Sequence, residues 1–371
     1  SDAVEFDIDH VSIANANLTY HDEKQRTSLA LSQVNVKAGH IAPNVPGQVD
    51  LSFTLSADRP KTNLDLSLKT KLTFDLRRQV YALDGLSLDV KGQAAVISNL
   101  KAKVSGSAVA KLKAGELIAQ GLSVAFTGVC GKDDLDIKFD ALELAITKDK
   151  ASSDKVTVNA KISNAQGATT ARVELPRIES TAQAFTAAAM TLDLDMKQGE
   201  QSVRATVRSP LSGNLHTQQI SLPQLTVSVT VAGPNLPGKS LAGSLSGSAS
   251  VNGAKQQAQA NLAGKVADSA IKAQLVVNGF APSGLNFDIG IDQLDVDKYA
   301  PLTQTAGGAK AGAEKPIDVS ALRSLRANGK VRVGLLKMSN IEASNVRLDT
   351  REAGGQIDIN PLPANRYEGA M

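Results

Sequence analysis

Residues 64–76 read L-D-L-S-L-K-T-K-L-T-F-D-L, strict two-residue alternation sustained for thirteen positions. Successive side chains of a strand point to opposite faces, so one face here is apolar and the other wet. Similar runs recur at 4–13, 49–55, 86–90, 135–141, 156–162, 171–175, 190–196, 203–207, 225–231, 258–262, 271–277, 285–291, 331–335 and 357–359. The pattern predicts an all-β chain of roughly twenty strands, laid out as a long antiparallel sheet that must twist and curl.

Turn chemistry fills the gaps, as in Pro43-Asn44-Val45-Pro46-Gly47 and Asn235-Leu236-Pro237-Gly238. At Ala141–Leu142 the apolar register jumps from odd to even positions, the mark of a β-bulge or sharp bend. Helical periodicity is weak: short helices are expected only at 183–189, at 296–299 and at 319–325, the last with Asp318 as N-cap. Residues 303–317 hold a run of Gly, Ala, Thr and Lys that is too poor in bulk to order itself. The expected organisation is therefore a repeated-strand region at 1–302, a flexible linker at 303–317 and a β-region at 318–371. The start at Ser1 without Met, and the stop at Met371 after an alternating segment, read as those of a fragment.

Composition narrows the classes of function. Of 371 residues, 42% are hydrophobic and 21% charged, and the net charge is +3 with both signs interspersed. That is globular composition without a nucleic-acid footprint. Aromatics make up 3% with no Trp, which removes stacking platforms for bases or sugars. Cys130 is the only cysteine, so no intramolecular disulfide forms. No stretch reaches the roughly 18 apolar residues of a membrane-spanning helix.

Catalytic and metal-binding grammar is absent. His10, His21, His40 and His216 lack H-x₃₋₅-H spacing. Cys130, within G-V-C-G, reads as a small strand-end residue. Asp288, Asp292, Asp295 and Asp297 alternate on a wet face, as do Glu5, Asp7 and Asp9, with no tight loop to concentrate them. No G-x-S-x-G, Walker loop or H-E-x-x-H occurs. The expectation is a non-enzyme with no cofactor. Arg77-Arg78 and the four lysines of 101–113 suit solvent-facing charges that deter edge pairing, the favoured reading, or contacts to lipid head groups at a groove rim.

The most specific wording lies toward the C-terminus. An alternating strand at 285–291 leads to Asp295-x-Asp297-x-Tyr299. Then come Leu322-x-x-Leu325, Asn328-Gly329-Lys330-Val331-Arg332-Val333-Gly334-Leu335-Leu336-Lys337, Asn345-Val346-Arg347-Leu348, Gly354-Gly355, Pro361-Leu362 and Tyr367-Glu368-Gly369. This succession, over 285–371, resembles the C-terminal region of the AsmA family of Gram-negative envelope proteins. The opening F-D-I-D-H-V-S-I-A-N-A-N-L-T-Y at 6–20 is similar to that family's recurring introductory strand. The chain departs from the pattern in lacking the N-terminal transmembrane helix and in closing Tyr-Glu-Gly instead of Tyr-Gly-Gly.

The resemblance implies a periplasmic β-structure, anchored to the inner membrane through a segment missing here, that serves outer-membrane biogenesis and is similar to bridge-like lipid transfer proteins. It implies a sheet curled into a U-shaped groove that binds or conducts phospholipid acyl chains, with outer-membrane components as further partners and no nucleic acid. Groove-lining candidates are Leu64, Leu66, Leu68, Leu72, Phe74, Leu76, Leu135, Ile137, Phe139, Phe287, Ile289 and Ile291. From the residues alone, half of a closed sandwich core is the more usual meaning of such alternation. The competing expectation is an assembly scaffold that engages outer-membrane proteins through its sheet edges, and a third is a surface adhesin-like repeat protein.

Overall fold

A computed structural model describes residues 6–22, 27–234, 236–279, 284–298, 326–338, 341–350, 352–353 and 356–357. The chain divides into two compact units, Ser1–Gly199 and Glu200–Met371. The first holds β1 (Ile8–Asp22), β2 (Thr27–Ile41), β3 (Gly47–Asp58), β4 (Lys61–Asp75), β5 (Val80–Ala94), β6 (Ile97–Lys111), β7 (Glu116–Cys130), β8 (Asp133–Ile146), β9 (Lys150–Asn164), β10 (Gly167–Thr181) and β11 (Ala184–Gln198). The second holds β12 (Gln201–Asn214), β13 (Gln219–Ala232), β14 (Ser240–Asn252), β15 (Gln257–Val266), β16 (Ser269–Asn278), β17 (Gly284–Asp295), β18 (Arg326–Met338) and β19 (Ile341–Thr350). It also carries a small pair, β20 (Glu352–Ala353) with β21 (Gln356–Ile357).

The protein is all-β, and within each unit the long strands follow one another as a meander in an open sheet that is not closed into a barrel. Pairing is antiparallel throughout the first unit, for example Leu51↔Leu68 and Leu55↔Leu64 between β3 and β4. In the second unit β17 and β18 run parallel, with Ile289 beside Val331, where uniform antiparallel order was expected. A parallel pair needs a crossover of a dozen or more residues, and positions 296–325 supply that length. The described residues contain no α-helix, only 3₁₀ turns at Pro237–Lys239 and Val296–Lys298. The helix expected at 183–189 is instead the start of β11. The one expected at 319–325 and the linker at 303–317 fall outside the described residues.

A line of mid-strand irregularities organises the first unit. Register shifts fall between Ser32 and Asn35 on β2, Leu83 and Leu86 on β5, and across Gly121 on β7, where Ser105↔Ser123 gives way to Ser107↔Gln120. The backbone takes the left-handed conformation at Gln33, Gly85, Gly121 and Arg177. At the first three a bulge inserts one extra residue, which would turn the rest of the strand inside out, whereas at Arg177 the pairing of β10 with β9 and β11 continues without a shift. The sequence compensates by switching apolar parity at the same place. On β8 the apolar residues are Leu135, Ile137, Phe139 and Ala141 before the slip, then Leu144 and Ile146 after it. Both sets pair with apolar partners on β7, from Gly128, Phe126, Val124 and Leu122 to Ala119 and Leu117. The odd one out, Leu142, is 65% exposed on the other side. One apolar face thus survives the bend.

Burial shows which way the sheet bends. Thr70, Ala119, Ala141, Ser153 and Ala187 are between 2% and 7% exposed. All five lie beside the irregularities and, followed strand to strand through the register, on the same apolar face. That face is the inside of the fold line, where the two arms of each strand crowd together and leave room only for small side chains.

Gly85 (φ +61°) and Gly121 (φ +58°) hold left-handed backbone that a Cβ disfavours by about 1–2 kcal/mol. Gly85→Val and Gly121→Val should each destabilise by about that amount in urea unfolding. Gly39→Val, in open space on β2 without left-handed backbone, should change stability by no more than a few tenths of a kcal/mol.

Candidate functional site: an uncovered apolar face

The inner face of the first unit has a floor and two walls. Leu64, Leu66, Leu68, Leu72 and Phe74 stand on one face of β4, opposite Leu55, Phe53, Leu51 and Gly47 of β3 and, for Phe74, Tyr81 of β5. Leu135, Ile137 and Phe139 of β8 are opposite Gly128, Phe126 and Val124 on β7 and Ile162, Ala160 and Val158 on β9. The registers from β4 to β8 carry one face through both groups, so these eight candidates share it. Most are only half-buried, and no large side chain among the described residues is fully buried. A sandwich core would show the opposite. Phe74, the most enclosed at 7% exposure, stacks on Phe6 with ring centroids 5.9 Å apart, so a local aromatic pair covers that end. Leu76 lies past the end of β4 in the hairpin turn and is 41% exposed; it belongs to the rim.

The floor residues escaped the sequence reading, because Thr70, Ala119, Ala141, Ser153 and Ala187 are too small to stand out by hydropathy. The parity switch at Ala141–Leu142 was their one visible trace. Their size fixes the depth of the trough, since a bulky residue there would fill it from below.

In the second unit, Phe287, Ile289 and Ile291 of β17 face the same way as Leu275, Ala273 and Ile271 of β16 and Gly329, Val331 and Val333 of β18. Val333 is 4% exposed. Phe287 lies over Gly329: a Cβ there would sit 2.6 Å from its ring and 2.2 Å from its backbone oxygen. The glycine gives the ring its seat. This apolar surface is likewise half-buried and uncovered by any described layer.

The outer faces are wet and charge-paired. Lys138 and Asp140 approach to 3.1 Å on β8, Arg172 pairs with Glu174 on β10, and Lys155 adds a second cation to Glu174 at 3.8 Å. A hydrogen bond from Ser123, with Lys138 beside it, holds Asp140 below the usual carboxylate range. The Arg172 guanidinium and then Lys155 do the same for Glu174. These are surface pairs of small energetic worth that keep the outer face solvated. Arg77, Arg78 and Lys113 sit on exposed hairpin tips, with Lys113 Nζ donating to the Arg77 carbonyl at 2.5 Å. Lys101 and Lys103 lie on the outer face of β6.

The remaining candidate chemistry stays dispersed. Asp288 pairs with Arg332 at 2.5 Å, and Asp292 accepts from the backbone N–H groups of Ala270 and Gln293 at 2.7 Å each. Asp7, Asp9 and His40 form an exposed trio with ligand atoms within 4.8 Å, His40 Nε2 lying 3.2 Å from Asp7. Nothing buried preorganises it. Cys130 ends β7 half-buried beside Ile97.

Because Phe287 occupies the space over Gly329, Gly329→Ala should cost about 1–3 kcal/mol in urea unfolding through overpacking. Gly290→Ala, whose new methyl would have its nearest neighbour at 4.0 Å, should be tolerated with a change below about 0.5 kcal/mol. No known protein family, curated protein or solved structure matches this chain.

Proposed function

We propose that this protein is a non-enzymatic lipid-binding β-groove that holds phospholipid acyl chains on its apolar face, in the manner of the AsmA-type envelope proteins its sequence resembles. One observation carries the reading. A single apolar face runs unbroken through eleven strands, is kept in phase across a bend in mid-strand, and is left half-exposed. Exposed contiguous apolar surface of this kind marks a binding site. Eleven strands at ~4.8 Å spacing extend the floor to about 48 Å along the sheet. Each buried methylene contributes about 0.8 kcal/mol, so acyl chains bind firmly. The near-uniform lining of Leu, Val, Ile and Ala offers them no fixed stop. On this reading the protein works in the periplasm, tethered to the inner membrane, and moves lipid toward the outer membrane.

A second reading rests on β1. Among the described residues its partner is β2, and it carries neither Lys nor Pro, the usual guards of an edge strand. Leu18 and Tyr20 on it are 64% and 61% exposed. An assembly scaffold that recruits an outer-membrane protein strand would use this edge.

Organic extraction of the purified protein followed by mass spectrometry should recover phospholipid from the parent. Leu68→Asp with Ile137→Asp, or Ala141→Trp filling the floor, should cut the recovered lipid several-fold while circular dichroism stays that of a β-protein. Ser12→Pro on β1 should leave lipid recovery unchanged. A parent that folds free of lipid and takes up none when offered vesicles would end the acyl-chain reading and leave the edge-based one.

A further inference from the structure

The second unit has a hollow of about 440 Å³ whose charged lining lies on the wet face and which also reaches Ile291 and Val333 between the wet rows. One transverse row crosses it: Lys272 on β16 is register partner to Gly290 on β17, Gly290 to Arg332 on β18, and Arg332 to Arg347 on β19. Three cations therefore line one row, with a glycine in their midst that leaves the space open. Gly334, one row along, removes a second side chain.

Two arginines directly opposite each other on neighbouring strands repel. Each has one carboxylate neighbour, Asp288 for Arg332 at 2.5 Å and Asp349 for Arg347 at 3.0 Å. Neither Asp288 nor Asp349 lines the hollow; both sit in the next row, on the side away from it. Asp292, which does line it, has one oxygen committed to the backbone N–H groups of Ala270 and Gln293. Each guanidinium carries five N–H donors in a planar fork suited to oxyanions, and one carboxylate leaves several of them over. Arg332 and Lys272 are exposed and Arg347 is half-buried, so a solute can reach all three.

We infer that this hollow binds a phosphate-bearing anion, gripped by Arg332 and Arg347 with Lys272 as the third charge, on the face opposite the apolar one. The volume exceeds that of a bare phosphate and admits a phosphoryl group with a small polar substituent, as in a phosphomonoester or a phospholipid headgroup.

The test uses the full chain. Titration with inorganic phosphate at constant ionic strength, against chloride as control, should show saturable binding. Arg332→Gln with Arg347→Gln should weaken it about tenfold or more, given the loss of both bidentate forks. Lys272→Gln should weaken it less. Gly290→Val, which occupies the hollow without removing a charge, should also abolish it, so an effect of the arginines on folding is separable. Co-sedimentation with phosphatidylglycerol vesicles, but not phosphatidylcholine vesicles, that is lost in the arginine variant identifies a lipid headgroup as the source. Phosphate binding without vesicle binding identifies a soluble phosphate compound. Leu68→Asp should leave phosphate binding unchanged, which keeps this site independent of the acyl-chain reading. Phosphate and vesicle responses no greater than the controls, or a response unaltered by the arginine and glycine variants, would overturn the inference.

Discussion

The constraint on which the structure of the first unit depends is phase. A strand presents alternate residues to opposite faces, so a bend made by inserting one residue exchanges the faces beyond it. Strands of up to 15 residues in the first unit bend in this way, and an uncorrected bend would present half an apolar face to each side. Here the backbone irregularity and the switch of apolar parity coincide. On β10 the inner residues are Thr169, Ala171, Val173 and Leu175, then Ile178 and Ser180, with left-handed Arg177 between. On β9 they are Ile162, Ala160, Val158 and Val156, then Ser153 and Ala151. The chemical pattern and the geometry agree strand after strand, as expected of a sequence specifying one structure.

An apolar face kept continuous in this way and then left open has a thermodynamic consequence. Each Å² of apolar surface removed from water is worth about 25 cal/mol, and in the described residues no second layer removes it. Water, a guest or a partner surface must therefore meet the face. The lining lacks the convergent polar groups that fix a small ligand in one pose, whereas the outer face is dense with ion pairs and carboxylates held low by arginine, lysine and serine donors. The sheet thus separates two environments. Within the second unit, the cationic hollow bounded by Arg332 and Arg347 likewise lies on a wet face.

Much of this was legible in the amino-acid order, and the failures have physical causes. Residues 64–76 announced β4 because Leu and Phe alternate with Asp, Ser and Lys. The strands β2, β6, β7 and β14 were passed over. In β6 and β14 the inner positions include Ala108, Gly243 and Gly247, whose contrast with Ser neighbours is slight. In β2 and β7 the switches at Gln33 and Gly121 break the alternation into pieces too short to register. The alanines at 187–189 suggested a helix by intrinsic propensity, and pairing with β10 overrode it. Walls of the first unit's trough were readable from bulk hydropathy at Leu64 or Ile137. Its floor was not, since Thr70, Ala141 and Ser153 are chosen for smallness. The parallel β17–β18 pair has no local signature, because strand direction is set by a connection and not by the strands it joins.

The chain contains no tryptophan, which permits a direct measurement. Single tryptophans are placed at inward Leu68 and Ile137 and at outward Lys69 and Lys138, and each delipidated variant is mixed with phospholipid brominated along its acyl chains. Quenching of the two inward tryptophans, with the outward pair unaffected, is the expected result. Equal quenching at all four positions, or none at any while the protein remains folded, would contradict an apolar face that receives acyl chains.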